Sequence, residues 1–264
     1  MNACQNQKRA ARVDHELMLA WAERQLKNLE STISEYFSKH PDVLVTRYDG
    51  ATGEQVVSFR KRYLPEEDIW SFQIGDVVHS LRVSLDYLAF RLVTTSPHTL
   101  KVDKIAFPIC VDALRYPSLE GQRIGKQAPL GIRKAIERLQ PYHGAKNLRA
   151  QPLAVLDQLE NIHKHRRLLL AGVEVSSVHE IGTSDKIRMR FTGRRGIAVE
   201  DRAELYRYVV LDPTHTGTDV QIKVTSHVRI KEPGLAAGRP VVTVLKDIRD
   251  HIRTRVFPKF DKFL

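Results

Sequence analysis

Apolar residues Val13, Leu17, Trp21, Leu26, Leu29, Ile33 and Phe37 recur at intervals of three to five, the spacing that places side chains on one face of an α-helix. Asp14 and Glu16 suit its amino-terminal end, where the backbone dipole attracts carboxylates, and Pro41 stops it. The period then shortens. Val43 to Tyr48 and Gln55 to Phe59 are β-branched and aromatic runs flanking Asp49-Gly50-Ala51-Thr52-Gly53, which predicts a hairpin at about 42–60 with a glycine-rich turn. It is expected to stand off the helices as an insertion. Pro65, Glu66, Glu67 and Asp68 open a second helix. Along it Trp70, Ile74, Val78, Leu81, Leu85, Leu88 and Leu92 hold helical register until Ser96-Pro97. Gly75 inside this helix costs about 1 kcal/mol relative to alanine, so it points to a kink or to the close approach of another backbone.

A shorter helix is predicted from about Pro129 to Gln140, and another from Pro152 carrying Leu156, Leu159, Ile162 and Leu169 on one face. Beyond Gly172 the period becomes two. Lys186 to Phe191 and Val220 to Val224 alternate strictly, Tyr206 to Leu211 is strand-like, and turn residues separate them. A closing helix aligns Val241, Leu245, Ile248, Ile252 and Val256, and is expected to pack on the sheet or on the bundle. These elements describe an α+β protein: an antiparallel helical bundle (near 13–38, 66–95, 129–140 and 152–170) with an inserted β-hairpin, then a C-terminal antiparallel sheet over 173–231 plus a closing helix. The implied division is 1–171 and 172–264, packed as one unit.

Composition narrows the function classes. Of 264 residues 42% are hydrophobic, enough for a sizeable core. The two cysteines, Cys4 and Cys110, are far apart without metal-ligand spacing, which argues against a disulfide framework and a cysteine-built zinc site. The amino terminus has no secretory pattern, and the longest apolar run, Leu168 to Ala171, is too short for a bilayer. A cytoplasmic protein without membrane contact is expected, and no signature calls for a cofactor. Charge adds a positive indication: 42 Lys and Arg against 31 Asp and Glu leave +11. From Lys186 to Leu264 there are 17 basic against 9 acidic residues, a net of +8. Such a surplus draws polyanions, with RNA or DNA the commonest. Lys186, Arg188, Arg190, Arg194 and Arg195 are the residues expected to hold a strand. The competing possibility for this basic stretch is a solvated sheet face.

Two polar clusters carry the candidate chemistry. On the second helix His79, Arg82 and Asp86 fall within a sector of roughly 60°. They offer a base, a cation for phosphate and a carboxylate to orient the imidazole. The other cluster is Asn161 to Arg167. There Asn161 and His165 are neighbours at i and i+4, and Arg166 falls among Leu159, Ile162 and Leu169, where a guanidinium needs a carboxylate. Asp86 or Asp76 is the natural partner. As a site, the clusters suit metal-free phosphodiester cleavage, with His79 or His165 taking a 2′-hydroxyl proton and Arg82 or Arg166 stabilising charge on phosphorus. As structure, they make an Arg166–Asp86 ion pair inside a non-catalytic scaffold. His163 and His165, two apart on a helix, point about 160° away from each other, so no metal is expected.

The segments Gly75 to Asp86, Phe107-Pro108-Ile109, Leu139-Gln140-Pro141-Tyr142 and Lys164-His165-Arg166 resemble those of a set of uncharacterised bacterial proteins. These share a Gly-Asp-x-x-His-x-Leu-Arg-x-x-Leu-Asp helix, and the likeness spans about residues 65 to 170. A looser likeness is to the HEPN superfamily of helical domains, through Arg138 with His143 and Arg91 with His98. Leu139 and Leu92 stand where that family's motif has a polar residue. The resemblance implies a metal-independent ribonuclease acting as a homodimer.

Overall fold

A computed structural model describes residues 14–40, 43–60, 67–94, 104–125, 128–166, 170–181, 187–191, 202–211 and 221–264. The chain is α+β. Helix α1 (Asp14–Lys39) precedes strands β1 (Val43–Asp49) and β2 (Glu54–Arg60), followed by α2 (Glu67–Thr94), α3 (Tyr116–Arg123) and α4 (Leu130–Glu137). A 3₁₀ segment (Pro141–Ala150) leads into α5 (Pro152–His165). Strands β3 (Leu170–Ile181), β4 (Ile187–Phe191), β5 (Glu204–Val210) and β6 (Gln221–Ile230) come next, then α6 (Val241–His251), which runs on as a π-helical turn (Ile252–Val256). No helix of the described residues is long and apolar enough to cross a membrane.

Two compact units emerge. One gathers Met1–Glu30, Asp68–Leu169 and Ile230–Leu264, the other Ser31–Glu67 and Leu170–Arg229. This differs from a division at residue 171, because the hairpin falls in one unit with the later strands. Strand β2 pairs antiparallel with β5, Gln55 opposite Tyr208 and Val57 opposite Tyr206, and β5 pairs with β4. The resulting sheet runs β1-β2-β5-β4, while β3 and β6 form a separate two-stranded sheet. Hydrogen-bonded strands cannot be parted without leaving backbone groups unsatisfied, so the hairpin belongs with the later strands. Among the described side chains of this sheet Val56, Val57 and Phe59 of β2 and Leu205, Tyr206 and Tyr208 of β5 are buried. Beside them the Arg207 guanidinium is held by Glu204 and Asp49, each at 2.8 Å, and by Glu54 at 3.2 Å.

In the helical unit α2 buries every residue of its expected stripe, from Trp70 to Leu92. The α1 stripe is corrected. The buried set is His15, Leu19, Ala22, Leu26, Leu29 and Ile33, a strict three-four repeat, whereas Leu17 (57%) and Trp21 (48%) are exposed. Trp21 instead meets the Arg24 guanidinium over its ring at 5.7 Å. Of the two places open to it, the closing helix takes the bundle: Lys246 pairs with Glu30 at 2.7 Å, and Arg249 and Arg253 both pair with Glu23. The helix expected to run to residue 170 stops at His165, with Arg166 extended at φ −164° and ψ 164°.

Candidate functional site

Residues 105–110 form no helix or strand, yet Phe107 and Pro108 are buried, so their backbone polar groups need partners other than water. Helix α2 supplies them. Arg82 and Asp86, one turn apart, reach the backbone of the same residue: Phe107 N donates to Asp86 Oδ1 at 2.9 Å, and Arg82 Nη2 donates to Phe107 O at 2.6 Å and to Asp86 Oδ1 at 2.9 Å. Gln140, buried just before the 3₁₀ segment, covers the next residues. Its Nε2 donates to Pro108 O at 2.9 Å and to Ile136 O at 3.0 Å, and its Oε1 accepts from Cys110 N at 2.8 Å. Three side chains thus stand in for a neighbouring strand. Phe107 then seats in the core, edge-on to Phe260 with ring centroids 6.4 Å apart.

One turn back, α2 meets α5. A Cβ on Gly75 would lie 2.0 Å from Cε1 of His163, so the close approach that requires glycine is a histidine ring and not another backbone. His79 Nδ1 lies 3.1 Å from Oε1 of Glu160, and Lys164 Nζ reaches the same oxygen at 3.1 Å. The Glu160 side chain is 3% exposed and that of His79 55%, a buried carboxylate orienting a solvent-facing imidazole. Burial pushes the Glu160 carboxyl up, but the hydrogen bonds from His79 and Lys164 and the attraction of their charges together outweigh it and hold it below its usual value. Three residues earlier, Asp157 is moved the opposite way: burial raises it, and attraction to Arg82 and Lys164 offsets only part. Asn161 Nδ2 donates to Asp157 Oδ2 at 3.3 Å.

The chain matches no family model, no curated protein and no solved structure.

The six residues expected to form a catalytic ensemble take different partners. Arg82 and Asp86 face the Phe107 backbone, His79 faces Glu160, and Asn161 faces Asp157. His165 is exposed, and it is His163 that lies over Gly75. The expected Arg166–Asp86 pair is replaced by a bidentate pair of Arg166 with buried Glu232, at 2.9 and 2.5 Å. The cause is the helix end: a helical wheel continued past His165 assigns Arg166 to a core face that its extended backbone does not give it.

Among the described residues no group of three or more His, Cys, Asp or Glu is arranged to hold a metal ion. Of the expected strand-holding residues, Lys186, Arg194 and Arg195 lie outside the described residues, while Arg188 and Arg190 lie in β4 opposite Val209 and Arg207. Of the HEPN-like pairs, His143 Nε2 contacts Glu137 O at 3.0 Å and Arg91 Nη2 donates to Leu264 O at 3.3 Å. His98 lies outside the described residues. Glu160 and Gln140 escaped the sequence reading. The available signal for Glu160 was an acidic residue adjoining the apolar stripe of α5, and for Gln140 its place beside Pro141.

Proposed function

We propose that the protein binds nucleic acid and that its helical unit serves as a non-catalytic scaffold. The observation that carries the binding is the charge of +11, because a basic surface gains affinity for a phosphate backbone by releasing condensed counterions. Support for a scaffold comes from the pairing just described, in which Arg82, Asp86 and Arg166 are committed to holding Phe107 and Glu232. Fluorescence anisotropy with labelled single-stranded RNA and duplex DNA tests it. Binding should be measurable at low salt and weaken steeply as salt rises. Absence of binding at low salt, or an affinity indifferent to salt, contradicts it.

One observation favours a second reading, the metal-independent ribonuclease. Glu160 takes Nδ1 of His79, whose side chain is otherwise half open to solvent, the arrangement of an oriented general base. Asp157 and Glu160 are shifted in opposite directions, as acid and base pairs often are. RNA cleavage in the presence of chelator, abolished in a His79→Ala protein that melts like the wild type, would establish this chemistry. An uncut substrate leaves the scaffold.

A further inference from the structure

Between α5, the 3₁₀ segment and α6 lies a cavity of about 470 Å³, within the range of small-molecule sites, about 300–1,000 Å³. Its apolar lining includes Val155, Val244 and Ile248, and its cations are Arg149, Arg239 and Arg255. We propose that this cavity binds a phosphomonoester carried on a compact body with an apolar face, of mononucleotide size.

Charge bookkeeping at the rim supports an anion. The lining contains two acids, Asp247 and Asp250, and each is already paired, Asp247 with Arg239 at 2.8 Å and Asp250 with Arg249 at 2.7 Å. Arg149 donates to the backbone oxygen of Ala237 at 2.6 Å, and Arg239 donates to that of Arg149 at 3.1 Å. A carbonyl fixes a guanidinium in place without cancelling its charge, so Arg149 remains a net cation with donors to spare. Arg255 is exposed and makes no ion pair among the described residues. Two braced or free guanidinia at one mouth match a phosphate better than a carboxylate-poor apolar ligand would require.

The remaining lining fits the body of such a ligand. His251 is half-buried, and its imidazole is shifted down by burial first and by the neighbouring Arg255 second. It therefore stays neutral near pH 7 and offers one donor and one acceptor to a polar ring or sugar. Thr254 and Arg255 sit on the π-helical turn Ile252–Val256, a geometry that occurs mostly as single turns and is frequent at functional sites. Ala150 and Pro152 supply an accessible apolar edge above the buried Val155, Val244 and Ile248.

The cavity does not depend on nucleic-acid binding elsewhere, since a free nucleotide and the 5′-phosphate end of a strand present the same group. Calorimetric titration of the full chain with adenosine monophosphate should show saturable binding. Adenosine alone should bind at least tenfold more weakly. Arg255→Gln, an exposed position whose change should leave the melting temperature unaltered, should weaken the nucleotide at least tenfold. A parallel titration with 5′-phosphorylated and 5′-hydroxyl RNA oligonucleotides separates the sources. A preference for the phosphorylated end that the free nucleotide competes away assigns the site to strand ends. Nucleotide binding with no such preference assigns it to a free ligand, and it persists even if oligonucleotides do not bind at all. No saturable binding of the nucleotide at millimolar concentration, or equal binding by wild type and Arg255→Gln, overturns the proposal.

Discussion

Replacing Gln140 by leucine should destabilise the helical unit far more than a change of one polar side chain ordinarily does. Gln140 is 2% exposed, and leucine nearly matches its volume, so packing changes little and the loss is in hydrogen bonds. Three are removed: from Cys110 N, to Pro108 O and to Ile136 O. Ile136 O keeps a second donor, Leu139 N at 3.1 Å, whereas Cys110 N and Pro108 O are left in a closed environment. A buried polar group without a partner costs about 1–3 kcal/mol. The two together give about 2–6 kcal/mol, less about 1 kcal/mol for the added apolar burial. Against a total stability of about 5–15 kcal/mol, such a loss is visible at once. Urea titration followed by fluorescence is suited to it, because Trp70 is fully buried in this unit. The midpoint should fall while the slope against urea stays unchanged. A Gln140→Leu protein within about 0.5 kcal/mol of wild type, the scatter of neutral substitutions, would show that residues 107–110 are not held by side-chain hydrogen bonds.

Asp86→Ala should cost about 1–3 kcal/mol by stranding Phe107 N, Asp86→Asn less because an amide oxygen still accepts, and combining Asp86→Ala with Gln140→Leu should cost less than the sum, as denaturation midpoints will show. Gly75→Ala should be no more stable than wild type, since the new methyl displaces the His163 ring. In a His163→Ala background the same change should add up to about 1 kcal/mol from helix propensity; a gain in the wild-type background would refute the contact. His15 is buried against Phe257, and burial lowers its imidazole from the ordinary value of 6.5. The unfolded chain therefore takes up the proton first, and stability present above pH 6.5 is lost as pH falls through the lowered folded value. His251 is shifted with the same sign, so melting curves between about pH 7.5 and 5 should show a shallower decline for His15→Leu, and an identical decline would count against a buried neutral His15.

The sequence pattern resolved the long elements well where burial is one-sided. Every residue of the α2 stripe from Trp70 to Leu92 is buried, as the 3.6-residue repeat requires, and the enclosed sector is wider than that stripe, taking in Val77, Ser84 and Ala89 as well. On α1 the amphipathic period was visible but its phase was not: Leu17 and Trp21 are large enough to suggest the core, yet His15, Leu19 and Ala22 keep the exact repeat of Leu26 and Leu29. The pairing of β2 with β5 joins residues about 150 positions apart, which no local periodicity encodes. The same limit applies to the candidate site. His79, Arg82 and Asp86 were visible as one helix face, but their partners Glu160 and Phe107 are set by tertiary contacts. Arg166 was misplaced because the end of α5 carries neither glycine nor proline, the residues that most often mark a helix stop.

The most direct measurement is the salt dependence of RNA binding by the intact chain. Fluorescence anisotropy of a labelled single-stranded RNA would be followed from about 50 to 200 mM salt with chelator present, and the RNA recovered afterwards for sizing. A basic binding protein on an inert helical scaffold should show log K falling linearly with log salt, by about 0.7 per phosphate contacted, and return the RNA at full length. Undetectable binding at the lowest salt, an affinity unchanged across the range, or RNA returned as fragments would each contradict it.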